Sequence, residues 1–115
     1  MRSPITTHIL DTALGKPVSG VHVTLEVEHG AGNWKSIGGG RTNEDGRHGA
    51  LLPPGTKLER TLYRLTFDVA SYYRRVNANG FYPYITITFE VREPDGHYHV
   101  PLLLSPFGYT TYRGS

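Results

Sequence analysis

Apolar and polar residues alternate with a period of two along most of this chain. The pattern is longest over residues 21–27, 63–69 and 85–91, where Val, Leu, Ile, Phe or Tyr occupies every second position. Successive side chains of a β-strand point to opposite faces of its sheet, so each segment predicts a strand with one buried face. Four shorter segments predict further strands: 5–11, 34–41, 97–105 and 110–113.

Residues that favour turns separate these segments. They occupy positions 14–17, 30–33, 43–46, 53–55 and 94–96. Strands at this spacing are typical of a β-sandwich or a β-barrel. One short helix is predicted over residues 71–78, ended by Asn79 and Gly80. The whole chain, 1–115, is predicted to be a single all-β domain.

Composition excludes several classes of function. The 115 residues include 12 basic and 10 acidic ones, a net charge of +2 with no basic cluster of the kind that binds nucleic acid. The absence of cysteine excludes disulfides, thiolate zinc sites and a cysteine nucleophile. No apolar run is long enough to span a membrane, and the first residues do not resemble a signal peptide. A soluble, cytoplasmic protein without nucleic-acid or membrane partners is therefore predicted.

Two predicted strands are apolar on both faces. In segment 5–11, His8 shares its face with Leu10, and in segment 97–105, His97 and His99 share theirs with Leu103. A single sandwich would leave these leucines in water. We therefore predict that a second copy of the chain covers the face that carries the histidines.

Three blocks of sequence carry a resemblance to a known family. They are THILDT at 7–12 followed by GKP at 15–17, GRTNEDGR at 40–47, and HYHVPLLLS at 97–105 with YRGS at 112–115. With them the chain resembles the transthyretin-related family over nearly its whole length. The His-Tyr-His block and the terminal tetrapeptide resemble its enzyme branch, the 5-hydroxyisourate hydrolases, and are lacking in the hormone-carrying transthyretins.

The resemblance implies a Greek-key β-sandwich of about eight antiparallel strands with one short helix. It also implies a homotetramer, a dimer of dimers, in which two facing subunits line each active site. The implied substrate is 5-hydroxyisourate, a product of urate oxidation. Water would open its six-membered ring at an amide bond to give 2-oxo-4-hydroxy-4-carboxy-5-ureidoimidazoline, with no cofactor and no metal.

The resemblance also implies roles for individual residues. His8 and His99 would position and activate the water, because neutral imidazole is a suitable general base near pH 7. Arg47 would bind the anionic oxygens of the substrate through its guanidinium group. Without the resemblance, each histidine reads as an ordinary polar strand residue and Arg47 as a solvated turn residue. His97 is predicted to be a strand-end residue or to act from behind His99, and contact with the substrate stays open as an alternative.

The resemblance gives the terminal tetrapeptide a place in the active site. Tyr112, Arg113 and Gly114 would contact the substrate, and Gly114 would let the backbone approach closely. Ser115 is placed among the catalytic groups, through either its hydroxyl or its α-carboxylate. Without the resemblance, these residues read as a disordered tail.

Other interpretations remain open from the residues alone. His8, His97 and His99 could form a three-imidazole zinc site, although Arg47 would add a positive charge there. A transthyretin-like carrier would hold an apolar ligand without chemistry, and a purely structural sandwich would be monomeric. Arg41 is predicted to make a structural pair, and no role is assigned to three further histidines: His22, His29 and His48.

Overall fold

The computed structural model describes residues 3–115, which form two packed β-sheets and one short helix. The first sheet contains β1 (Ile5–Asp11), β2 (Lys16–Pro17), β5 (Arg47–His48), β8 (Tyr98–Ser105) and β9 (Gly108–Thr111). The second contains β3 (His22–Glu28), β4 (Trp34–Arg41), β6 (Leu62–Asp68) and β7 (Tyr84–Glu90). The predicted all-β sandwich with one short helix is confirmed.

The period-two alternation does divide buried from outward-facing positions. In β3, Val23, Leu25 and Val27 are buried, whereas their neighbours in the strand remain partly or fully accessible. Buried side chains of both sheets join in one apolar core, whose largest fully buried members include Phe67, Ile9, Leu65 and Leu102. Burial of this apolar surface is the main force that holds the two sheets together.

The prediction of an entirely antiparallel sandwich is wrong at one pair of strands. β1 and β8 run parallel, with Thr6 opposite His99 and Leu10 opposite Leu103. The described part of the chain also has nine strands, because two residue pairs outside the predicted strands, β2 and β5, form hydrogen bonds with the edge of β1. A strand of two residues has too little alternation to be recognised from its sequence.

The helix lies earlier than predicted. Instead of residues 71–78, α1 covers Val69–Arg75 and begins at Asp68, whose Oδ1 accepts a hydrogen bond from the Ser71 backbone N–H at 3.2 Å. Asn77 has a left-handed backbone (φ 55°) just after the helix, three residues before Gly80. No helix among residues 3–115 is long and apolar enough to cross a membrane.

The two faces of the β1–β8 pair have different roles. Residues directly opposite each other in a ladder project on the same side of the sheet. Ile5, Ile9 and Leu102 therefore face the core, where they are fully buried. The outer face carries Thr6, His8 and Leu10 from β1 and, from β8, His99, Pro101 and Leu103. All the strand histidines of interest lie on this outer face or at its end.

Candidate active site

A cleft of about 150 Å³ opens beside the β1–β8 pair. It brings together residues that are distant in sequence: Thr6, Thr7, Arg47, His48, Gly49, His99 and Ser115. Three of the four predicted catalytic residues, Arg47, His99 and Ser115, line it directly. The fourth, His8, is the strand neighbour of Arg47 in the β1–β5 ladder.

Strand pairing explains why these residues meet. The parallel register places His99 beside Thr6, and the short antiparallel β5 places Arg47 beside His8. Arg47 reaches this position through a tight turn, in which Gly46 adopts a left-handed backbone (φ 74°) and Asn43 Oδ1 accepts hydrogen bonds from Asp45 and Arg47 N–H. The turn that looked like a solvated loop therefore places a cation on the outer face of the sheet.

His8 is held in its neutral form by its surroundings. Partial burial lowers its pKa below the usual 6.5, and the positive charge of Arg47 lowers it further. A hydrogen bond to the Asp45 backbone and the Asp45 carboxylate oppose this shift. At pH 7 the ring is thus a neutral imidazole that can accept a proton. Because the folded state binds this proton less readily than the unfolded chain, His8 disfavours folding as the pH falls below about 6.5.

His99 is fixed by hydrogen bonds to its neighbouring strand. The hydroxyl of Thr6 lies 2.8 Å from His99 Nδ1 and 3.4 Å from Nε2 of His97. His97, which lies just before β8, is thus joined to His99 through Thr6. One ring nitrogen of His99 is accounted for by this contact, which fixes the orientation of the ring.

Arg47 makes no ion pair with an acidic group among residues 3–115. Its side chain is exposed, and no acidic group of residues 3–115 lies within 4.0 Å of it as an ion-pair partner. By contrast, Arg64 pairs with Glu26 at 2.7 Å on the outer face of the other sheet. An exposed guanidinium on the rim of a cleft is suited to an anionic ligand.

The end of the chain folds back onto the cleft. The Gly114 N–H donates to the His99 carbonyl at 2.8 Å, which forms an isolated antiparallel bridge, and Ser115 then lines the cleft. A Cβ atom added to Gly114 would lie 2.6 Å from Cδ2 of His99. Only glycine therefore allows this close approach of the tail to the imidazole.

Tyr112 and Arg113 point away from this cleft within a single chain. Both line a second groove at the open edge of the sandwich, together with Phe89, Tyr98 and Val100. The Arg113 guanidinium lies 4.6 Å from the ring centre of Tyr98 and donates to the His97 carbonyl at 3.4 Å. The structure therefore brings Gly114 and Ser115 to the cleft, and it places the other two tail residues elsewhere.

The three histidines of the zinc interpretation do not form a metal site. Within residues 3–115, no group of three His, Cys, Asp or Glu side chains is placed to hold a metal ion. The Thr6 hydroxyl lies between His97 and His99, and His8 lies two positions further along β1 beside Arg47. The geometry is that of a hydrogen-bonded chain of side chains.

Four cleft residues were missed by the sequence analysis: Thr6, Thr7, His48 and Gly49. Thr6 could have been found, because it is two residues from His8 and so must share its face. His48 could not, because its place depends on β5 pairing with β1. Its Nδ1 accepts a hydrogen bond from the Ala50 N–H at 3.2 Å, so the Nε2 of the neutral ring carries the hydrogen.

A second polar cluster lies at the other end of β1, on its inner face. Asp11 is 3% exposed, and its carboxylate accepts hydrogen bonds from the Ala13 and Leu14 N–H groups and from the Tyr72 hydroxyl at 2.6 Å. Burial and the nearby carboxylate raise the pKa of Tyr72, and the same two causes raise that of Tyr73 to about 12. This cluster ties the helix to β1.

The cleft has the groups that hydrolysis of an amide requires. Neutral imidazole can remove a proton from water, and a guanidinium can stabilise negative charge on a carbonyl oxygen. The cleft is lined by His99, Arg47 and a chain terminus, whereas an apolar ligand would favour apolar side chains. The cleft is therefore suited to a polar, anionic substrate and not to an apolar ligand.

Comparison with known proteins agrees with this geometry. The sequence profile of the HIUase/Transthyretin family matches residues 5–114. The 5-hydroxyisourate hydrolase of Mus musculus is 42% identical over 114 residues, which cover 98% of this chain and 96% of the mouse protein. The uric acid degradation bifunctional protein TTL of Arabidopsis thaliana is 44% identical over 126 residues, and these cover 99% of this chain but only 38% of the plant protein.

A solved structure supports the fold from another branch. Sea bream transthyretin, determined in complex with thyroxine, superposes with a TM-score of 0.88 at 30% sequence identity, covering 97% of this chain and 95% of that protein. The sandwich is thus common to a hormone-binding protein and to named hydrolases. With the family profile matched from Ile5 to Gly114, this chain belongs to the HIUase/Transthyretin family.

Proposed function

We propose that this chain hydrolyses 5-hydroxyisourate to 2-oxo-4-hydroxy-4-carboxy-5-ureidoimidazoline without a cofactor. The observation that carries the proposal is the meeting of Arg47, His99 and Ser115, from three separate regions of the sequence, in one cleft. The mouse relative, which this chain matches almost from end to end, is named for the same reaction. Activities of the longer Arabidopsis protein beyond this region are not carried over.

The first step is the attack of water on the amide carbonyl of the six-membered ring. His99, assisted by His8, orients the water and accepts its proton as the new C–O bond forms. The carbonyl electron pair moves onto its oxygen, where the Arg47 guanidinium stabilises the negative charge. When the C–N bond breaks, the imidazolium returns the proton to the departing ring nitrogen. The products are a carboxylic acid and an N–H group, so the atoms of one water are accounted for.

The single-chain cleft is smaller than a usual ligand site. Its volume of about 150 Å³ compares with roughly 300–1,000 Å³ for typical small-molecule pockets. Leu10 and Leu103 lie on the same outer sheet face as His8 and His99, and both are only partly buried. We infer that a facing subunit completes the site and covers these leucines, in a homotetramer built as a dimer of dimers.

The tail contributes to the site through its last two residues. Gly114 fixes the backbone against His99, and Ser115 lines the cleft, where its hydroxyl or its α-carboxylate would act. Arg113, stacked on Tyr98 and bonded to the His97 carbonyl, holds this segment in place. Contact of Tyr112 or Arg113 with substrate would have to occur across the subunit boundary.

The proposal is tested by generating 5-hydroxyisourate in situ from urate with urate oxidase. The decay of its absorbance is followed with wild-type protein, with an Arg47→Met variant and with buffer alone. We expect the wild type to accelerate the decay far beyond the spontaneous rate and the variant to lose most of this acceleration. Equal decay rates with wild type and buffer would reject the hydrolase, and would leave a transthyretin-like carrier as the better interpretation.

A further inference from the structure

The Thr6 hydroxyl lies between two histidines, His99 in β8 and His97 just before it. The Thr6 side chain is almost fully buried, with the residue 7% exposed, and its hydroxyl contacts Nδ1 of His99 at 2.8 Å and Nε2 of His97 at 3.4 Å. A hydroxyl has one hydrogen to donate and two lone pairs to accept with. It cannot donate to both imidazoles at once. It therefore either donates to one ring and accepts from the other, or accepts from both.

The donor and acceptor roles in these two hydrogen bonds decide which nitrogen of His99 can act as a base. If His99 Nδ1–H donates to Thr6 and Thr6 donates to His97 Nε2, then the Nε2 of neutral His99 carries a lone pair. If the direction is reversed, Nε2 of His99 carries the hydrogen and cannot accept a proton from water. Neutral imidazole has only these two tautomers, so the partner of Nδ1 selects between them.

We propose that Thr6, with His97 behind it, is a positioning residue that holds His99 in the tautomer whose Nε2 is the proton acceptor. The proposal rests on the hydrolase function proposed above. Thr6 accepts from His99 Nδ1–H, and its own hydrogen goes to Nε2 of His97. The same hydrogen bonds fix the plane of the His99 ring. The backbone of His99 is fixed separately, because the Gly114 N–H donates to its carbonyl.

The groups around His99 make such a selection necessary. Arg47 and His48 line the same cleft from β5, Ser115 lines it from the tail, and His97 lies just before β8. The contact with Thr6 at 2.8 Å is part-buried, and it can outweigh the influence of these groups on the tautomer of His99.

The test compares Thr6→Val, which keeps the shape but removes the hydroxyl, with Thr6→Ser, which keeps the hydroxyl. We expect Thr6→Val to lower kcat about 10- to 100-fold, the range seen when the hydrogen-bond partner behind a functional imidazole is removed. KM should change little, because the hydroxyl acts on His99 and not on the substrate. Thr6→Ser should restore most of kcat, and His97→Ala should give an intermediate loss.

A spectroscopic measurement tests the tautomer without any activity. The ¹⁵N shifts of the imidazole nitrogens distinguish a protonated from an unprotonated Nε2 in the resting protein. We expect an unprotonated Nε2 for His99 in the wild type and a loss of this preference in Thr6→Val. A wild-type His99 protonated at Nε2, or a spectrum unchanged by Thr6→Val, would overturn the proposal, whether or not the protein hydrolyses 5-hydroxyisourate.

Thr42→Val is the matched control for folding. Thr42 is also a buried threonine, with its hydroxyl bonded to the Val18 carbonyl at 2.7 Å and to the Val21 N–H at 3.1 Å, but it lies outside the cleft. We expect it to lower stability without changing kcat or the His99 spectrum. If Thr6→Val raises KM and leaves kcat unchanged, then Thr6 binds substrate and the proposed role is wrong.

Discussion

The two faces of β1 carry polar groups in opposite environments. Asp11, on the inner face, is buried and has three hydrogen-bond donors directed at its carboxylate. His8, on the outer face, is partly accessible and lies beside a guanidinium that has no acidic partner among residues 3–115. The buried Asp11 carboxylate would be unstable without these donors. A protonated His8 would be repelled by the guanidinium of Arg47.

This contrast separates residues that hold the fold from residues that act on a ligand. The hydrogen bonds of the Asp11 carboxylate are all made with groups of the protein itself. Removal of one of them should therefore lower the free energy of unfolding. At the cleft, His8, His99 and the Arg47 guanidinium lie on the outer face of the sheet, where a ligand can reach them. Three substitutions, one of them measured in two ways, would break or sharpen this comparison.

Replacing Arg47 should have the largest effect. We expect Arg47→Met to lower kcat/KM for 5-hydroxyisourate about 10²- to 10³-fold, because the developing oxyanion loses its cation. The free energy of unfolding should change by less than about 0.5 kcal/mol, because the side chain is exposed. Arg47→Lys, which keeps the charge but not the two parallel donors, should recover part of the rate. A variant with full activity would remove Arg47 from the site.

Gly114→Ala should disturb the cleft through its backbone. The added Cβ would meet the His99 ring at 2.6 Å, so either the tail or the imidazole must move. We expect a loss of about 10- to 100-fold in rate, since small displacements of a catalytic group are costly. Gly108→Ala is the control, because its Cβ would meet only Ser105 Oγ at 3.7 Å. Equal activity of the two variants would contradict a role for the tail.

Tyr72→Phe should affect stability and leave the chemistry unchanged. Loss of the hydroxyl removes one donor from the buried Asp11 carboxylate, at a cost of about 1–3 kcal/mol in the free energy of unfolding. Urea denaturation measures this cost, with Tyr84→Phe as an exposed control. The rate per folded molecule should stay within about two-fold of the wild type. A large fall in rate with unchanged stability would reverse the assignment of the two clusters.

The smallest effect is on the titration of His8. Because the charge of Arg47 lowers the pKa of His8, Arg47→Met should raise that pKa toward its ordinary value. The part of the shift that comes from burial should remain. The ring proton shifts of His8, followed by NMR across the neutral range, measure the change. A pKa that stays where it was would show that the two side chains are farther apart than their register implies.

Sequence periodicity was sufficient for the long strands. Segments 21–27, 63–69 and 85–91 agree within one residue with β3, β6 and β7, because seven alternating residues leave little ambiguity about which face is buried. The helix was misplaced by two to three residues because its start depends on a hydrogen bond from Ser71 to Asp68, which the apolar pattern does not reveal. The parallel pairing of β1 with β8 was missed because alternation carries no information on which strands become neighbours.

The site could be predicted only in part for the same reason. His8 and His99 were identified from motifs, but their distance from each other and from Arg47 depends on strand register. Arg113 is the clearest case. Its position in the terminal motif indicated substrate contact, yet packing on Tyr98 turns its side chain toward another groove. The contact with Tyr98 is long-range and leaves no trace in the local sequence.

The parallel contact between β1 and β8 has a consequence for how the protein is made. It joins Thr6 to His99, 93 positions apart, while the second sheet is complete once residue 90 is available. Pairings of such high contact order form slowly. A nascent chain leaving the ribosome can therefore assemble β3, β4, β6 and β7 first, and β1 can pair with β8 only after β8 has been synthesised. We expect the hydrolytic surface to be the last region to acquire its structure.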